Sequence, residues 1–177
     1  MKKVVAYISA FMLIIVGMLS LASCSKKTFY SEWHKAGADI EKNNMFESIT
    51  VDEVEIKLSS NDSTFALFIG SSSDEQAVKD VTAMQYTADV KNYEGKVYFL
   101  TTTKLKKQSK MRDIKDRIKV DISEMGTSVQ CVLFEKGRVS FNTVKTDTDQ
   151  VKKFKIDDEV SIIAVLEYVI EYYPVNK

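Results

Sequence analysis

The chain has 177 residues, 45% hydrophobic and 28% charged, with one proline and six glycines; this excludes a disordered or fibrous protein and leaves room for one core rather than two. Its 25 basic and 25 acidic residues balance, and without the basic excess that supplies most affinity for phosphates, nucleic acid is not the expected partner. Only two cysteines are present.

The first segment has the three parts of an export signal. Met1-Lys2-Lys3 is a short positive start, Val4 to Leu21 is an apolar run without charge, and Leu21-Ala22-Ser23-Cys24 follows directly. These last four residues resemble the lipobox of bacterial lipoproteins. The resemblance implies removal of residues 1–23 and attachment of a diacylglyceryl group to the Cys24 sulphur. The alternative is an uncleaved transmembrane anchor, since an apolar run of about 18 residues is near the minimum for crossing a bilayer. Under either reading the remainder sits outside the cytoplasmic membrane, and the expected location is the cell membrane, held by lipid. Two or more acyl chains, at about 0.8 kcal/mol per buried methylene, anchor a protein durably. The lipid bilayer, through acylated Cys24, is therefore the first expected partner. Lys2 and Lys3 leave with the signal and no acid does, so the mature chain has 23 basic and 25 acidic residues, a net charge of −2. Cys131 is then its one thiol, and no internal disulfide can form.

Residues 24–44 are expected to be the lipid anchor and a tether, with a helix from Tyr30 to Lys42. If flexible, some 20 residues would span roughly 25 Å and clear the headgroups. His34, the one histidine, is weighed as a ligand or base, but with no second histidine and no mobilising partner nearby neither role is expected.

Residues 45–177 are expected to form the folded domain. Phe46 to Thr50 predicts a short strand, and Val51, Val54 and Leu58 a helix with apolar residues at spacings of three and four. Thr64 to Ile69 is a continuous apolar run, as in a central strand covered on both faces. Ser72 with Glu75, or Ser73 with Gln76, has the spacing of a capping box, and Ala77, Val81, Met84 and Ala88 form one helical stripe after it. Val97 to Leu100 predicts a second buried strand. Met111, Ile114 and Ile118 mark a short helix, with Asp113 and Arg117 paired on its outer side. Val129 to Phe134, then Glu135-Lys-Gly-Arg138, then Val139 and Phe141 predict a β-hairpin. Asp157 or Asp158 is expected to cap a final helix through Ile162, Leu166 and Val169, ended by Pro174. Strands joined through helices pair in parallel and a tight hairpin pairs antiparallel, so the fold class is α/β with a mixed sheet flanked by helices.

That order is similar to the thioredoxin fold. Ile49-Thr-Val-Asp-Glu-Val54 through Thr64-Phe-Ala-Leu-Phe-Ile-Gly70 resembles the opening of the thioredoxin-like proteins that accompany bacteriocin export systems, and Val132-Leu-Phe-Glu-Lys-Gly-Arg-Val139 resembles the hairpin near the end of thioredoxins. The resemblance covers roughly Met45 to Tyr173. In that family a pair of cysteines separated by two residues opens the helix after the second strand, where the helix dipole lowers the first thiol's pKa. Here the degenerate positions of that motif are Asp74 and Ala77, and no such pair occurs anywhere in the chain. The family's cis-proline before the fourth strand is also missing, with Val129 near its place. The resemblance thus implies the scaffold without its redox centre.

Other chemistry has bland counterparts. Cys131 lies in an apolar strand and is expected to be a buried structural thiol. Asp74 and Glu75 suit the positive end of a helix. Asp147-Thr-Asp149 lacks the glycine and distal glutamate of a calcium loop. Lys104 to Lys110 is a charge run that would suit either solvent or anionic lipid. Gly70 and its serines lack the lysine of a phosphate loop. No catalytic set, cofactor or metal site is read. The expected function is a membrane-anchored, redox-inactive binding or accessory lipoprotein with an unidentified protein partner, linked to bacteriocin or peptide export. The alternatives are a monothiol oxidoreductase using Cys131, an unrecognised hydrolase, and a structural or sensory envelope lipoprotein of another α/β fold.

Overall fold

The computed structural model describes residues 28–60, 63–105, 108–122, 126–143 and 161–173. The expected signal segment, Cys24, the Asp147-Thr-Asp149 loop, Asp157, Asp158, Pro174 and the Met111 side chain lie outside the described residues. Elements follow in the order α1 (Phe29–Trp33), β1 (Phe46–Ser48), α2 (Val51–Ser59), β2 (Phe65–Gly70), α3 (Glu75–Val90), β3 (Val97–Thr101), α4 (Gln108–Ile118), β4 (Gln130–Glu135), β5 (Arg138–Asn142) and α5 (Ile162–Tyr172).

The strands form one five-stranded sheet in the order β1-β3-β2-β4-β5. β1 and β2 flank β3 in parallel, whereas β4 runs antiparallel to both β2 and β5. The fold is α/β, a mixed sheet flanked by helices, as expected for a thioredoxin-like domain. Strand side chains alternate faces. Ala66, Phe68, Val97, Phe99, Cys131 and Leu133 join the core under α1, α3 and α5. Phe65, Leu67, Ile69, Tyr98, Leu100 and Val132 join the opposite core, under α2 and α4. Covered faces on both sides explain why β2 to β4 are apolar without alternation. The hairpin turn puts Lys136 and Gly137 at φ +52 and +71, the mirror-image geometry that matches strand twist. A Cβ on Gly137 would also come within 2.8 Å of the Leu58 carbonyl oxygen.

Five expectations are corrected. Residues 28–44 are not a tether: Phe29, Trp33, Ala38 and Ile40 are buried in the domain's own core. The Phe29 ring stacks on Phe46 at 4.5 Å and meets the edge of Phe99 at 5.0 Å. The helix expected from Tyr30 to Lys42 stops at Trp33, and Gly37 turns the chain at φ +104, a conformation that opposes helix continuation. The first strand ends at Ser48 because Thr50 caps α2. The Thr50 hydroxyl accepts from the Glu53 N–H at 3.2 Å, and the Glu53 carboxylate accepts from the Thr50 N–H at 2.8 Å. Asp74, rather than Ser72 or Ser73, is the N-cap of α3. Finally, the last helix begins at Ile162 with Ser161 as its N-cap, so neither Asp157 nor Asp158 caps it.

Candidate functional site

In open α/β sheets, ligands gather beyond the carboxyl ends of parallel strands. Here β2 and β3 end together at Gly70 and Thr101. Gly70 lies where three side chains converge, since a Cβ would stand 3.1 Å from the Phe99 ring, 3.2 Å from Val129 and 3.4 Å from Trp33. Thr102 closes the strand ends, its N–H and hydroxyl both donating to the Gly70 carbonyl at 2.8 and 3.1 Å. Trp33 donates its indole N–H to the Thr101 hydroxyl at 3.0 Å. A residue expected in a tether therefore forms one wall of the site.

The loop from β2 to α3 carries Ser71, Ser72 and Ser73. Ser72 donates its hydroxyl to the Glu32 carboxylate at 3.1 Å and lies 2.8 Å from the Thr103 hydroxyl. Its N–H also donates to Thr103 Oγ1, at 2.9 Å. Because Ser72 gives its proton to Glu32, the shared bond with Thr103 runs from Thr103 to Ser72. Ser71 and Ser73 share a hydroxyl contact of 2.9 Å. The hydroxyls that would have formed capping boxes are thus engaged elsewhere, Ser72 with Glu32 and Thr103 and Ser73 with Ser71 in its own loop. This leaves Asp74 to start the helix, with its carbonyl accepting from Val78 N–H at 3.1 Å.

Asp74 and Ala77, the positions the resemblance assigns to the degenerate motif, fall at the start of α3. Asp74 is half-buried at the N-cap, and Ala77 is fully buried one turn further on. Glu75 pairs with Lys79 at 2.7 Å, and this hydrogen bond and charge hold the exposed carboxyl below its ordinary pKa. Val129 sits beside Gly70, and its N–H donates to the buried Asp80 carboxylate at 2.8 Å. The other Asp80 oxygen accepts from Gln76 at 2.8 Å. A proline at position 129 would have no N–H to give, so this tie between α3 and the approach to β4 needs a residue other than proline there. No cis peptide bond occurs among the described residues.

Cys131 is remote from this loop in chemistry if not in fold. It pairs with Phe68 in the middle of the sheet, is fully buried, and burial pushes its thiol pKa up, away from the thiolate that redox work requires. His34 is exposed and stacks on Tyr30 at 4.8 Å, rather than joining the Ser72–Glu32 pair. Among the described residues no three histidine, cysteine or acidic side chains cluster to hold a metal.

Sequence reasoning missed Trp33, Glu32, Thr101, Thr103 and Asp80. Phe29 and Trp33 were detectable, because two large aromatics four residues apart share a helical face. The threonines and acids carried no such signal. Two shallow clefts lie elsewhere: one of about 560 Å³ between the 37–41 segment and α3, and one of about 940 Å³ lined by Thr64, Arg138, Tyr168, Tyr172 and Tyr173. The chain matches no known protein family and no curated protein. No described helix is long and apolar enough to cross a membrane.

Proposed function

We propose that this protein is a lipoprotein anchored through acylated Cys24 outside the cytoplasm, and that its thioredoxin-like domain serves as a redox-inactive binding or accessory module for an envelope process such as bacteriocin or peptide export. The observation that carries the reading is the loop after β2. The resemblance expects a thiol pair there, and the positions hold Asp74 and Ala77, beside serines already bonded to Thr103 and Glu32. A loop tied down in this way supports a recognition surface rather than a reacting centre. The signal layout of residues 1–23 and the lipobox-like Leu21-Ala-Ser-Cys24 support the anchor.

Metabolic labelling with a fatty acid tests the anchor on the full chain: Cys24 takes up label, and Cys24→Ser abolishes it and leaves an uncleaved precursor. An unlabelled protein overturns the lipoprotein reading. Insulin reduction tests the second half, with no thiol-dependent turnover expected. Turnover lost in Cys131→Ala would establish the monothiol oxidoreductase instead. Genes for peptide export beside this one favour the accessory role, and an unrelated operon removes its specific motive.

A further inference from the structure

The anchor residue and the first packed residue are near neighbours in sequence. Phe29 is buried and Thr28 caps α1, so only Ser25, Lys26, Lys27 and Thr28 separate Cys24 from a side chain fixed in the core. Fully extended, the five steps from Cys24 to Phe29 reach at most roughly 17 Å. The polar layer of one leaflet is itself about 5–8 Å deep. The surface around Thr28 is therefore held within about a Debye length of the headgroups.

We infer that the domain docks on the bilayer that holds its own lipid, through the α1 and β1 edge of the sheet, and presents the opposite β5 edge outward. The inference rests on the acylation of Cys24 proposed above. Phe29 stacks on Phe46 of β1, the strand at one end of the sheet order. Around Thr28 the surface carries Ser31, the stacked pair Tyr30 and His34, and Lys35. An amphipathic aromatic and a lysine suit a headgroup layer. Glu32 in α1 and Glu47 on the exposed side of β1 are of the opposite sign, so the short connection, rather than charge, holds this edge down. β5 lies four strand spacings away, about 19 Å across the sheet. The cleft of Arg138, Tyr168 and Tyr172 beside it consequently faces away from the bilayer.

Fluorophores placed at Ser31→Cys and at Arg138→Cys read the orientation in the full acylated chain, reconstituted in phosphatidylcholine and phosphatidylglycerol vesicles that carry a headgroup nitroxide quencher. Cys131 is buried and Cys24 carries lipid, so each variant offers one accessible thiol. Several-fold stronger quenching at position 31 than at 138 is expected. Inserting twenty glycine and serine residues between Lys27 and Thr28, a reach of roughly 25 Å, should abolish the difference. Equal quenching of both positions in the uninserted protein, or stronger quenching at 138, overturns the docking. Flotation of the same vesicles separates the two ideas: protein that floats without the asymmetry defeats the orientation alone, whereas protein that does not float defeats the lipid anchor and the orientation with it.

Discussion

The backbone N–H of Val129 donates to Asp80 Oδ2 at 2.8 Å, and both groups are buried. This one bond ties the chain entering β4 to the second turn of α3, beside Gly70, and so sets the spacing of the loops at the candidate site. A buried donor that loses its acceptor retains the desolvation cost, about 1–3 kcal/mol. Asp80→Ala is expected to lower unfolding stability by that amount in urea titrations. Val129→Pro removes the donor, so Asp80→Ala made on that background should cost less than it does alone. Strictly additive losses would show that the two residues do not act as a pair.

Trp33 is the only tryptophan and is fully buried, with its indole bonded to Thr101. Trp33→Ala should cost about 3–5 kcal/mol. Trp33→Phe should cost less, because one aromatic ring is kept and the loss is the hydrogen bond to Thr101 and a smaller cavity. Deleting residues 28–44 from the chain should abolish cooperative unfolding, followed by circular dichroism. A deletion variant with an unchanged midpoint would return this segment to the role of a tether.

Burial raises the Cys131 pKa above its ordinary value of 9.0. The unfolded chain then releases the thiol proton at a lower pH than the native domain does. The native state is favoured fully below about pH 9, and the contribution is lost at about 1.4 kcal/mol per pH unit above it. Unfolding titrations at pH 8 and pH 10 should show this loss in the parent protein, and Cys131→Ala should remove that part of the slope while adding a constant cavity cost. Alkylation of Cys131 should also be slow in the native domain and fast in denaturant.

Asp74 is the N-cap of α3 and Ala77 lies one turn on, so Asp74→Cys with Ala77→Cys places two thiols at a separation that a disulfide spans. The double variant should fold, close its bridge in air and show a measurable redox potential, because the first thiol feels the positive end of the helix. The added sulphur at the fully buried Ala77 position should cost about 1–3 kcal/mol through overpacking. Insulin reduction should remain slow, since Val129 engages Asp80 in place of a cis-proline turn. Failure to bridge under oxidant in a folded variant would contradict the helix start at Asp74.

Much of the fold was legible because its signals are local. The apolar runs at 64–69 and 97–100 could be placed as covered strands, and the stripe of Ala77, Val81, Met84 and Ala88 as a helix face, from spacing alone. Glu135-Lys-Gly-Arg138 marked the hairpin because the turn needs two positive φ values. The candidate loop was located for the same reason, as the polar break between a buried strand and an amphipathic helix. Caps were less legible. Ser72, Ser73 and Asp74 all suit an N-cap, and which one serves depends on Thr103 and Glu32 drawing the Ser72 hydroxyl and on Ser71 engaging that of Ser73. By contrast, Thr50 and Glu53 form a capping box whose sequence spacing was present but passed over beneath a strand reading.

The sequence by itself determined the alternation of strands and helices, the mixed character of the sheet, the absence of two closely spaced cysteines and the burial of Cys131, since each follows from period, turn chemistry or a residue count. Only the tertiary structure decided that residues 28–44 belong to the domain, that Trp33 walls the site, and that Asp80 holds Val129. Those facts rest on pairs such as Trp33 with Thr101 and Asp80 with Val129, separated by 68 and 49 residues. A polar segment with scattered aromatics has no period that distinguishes a tether from a core edge. It becomes core because Phe46 and Phe99, brought together by the sheet, leave an apolar surface that Phe29 and Trp33 cover.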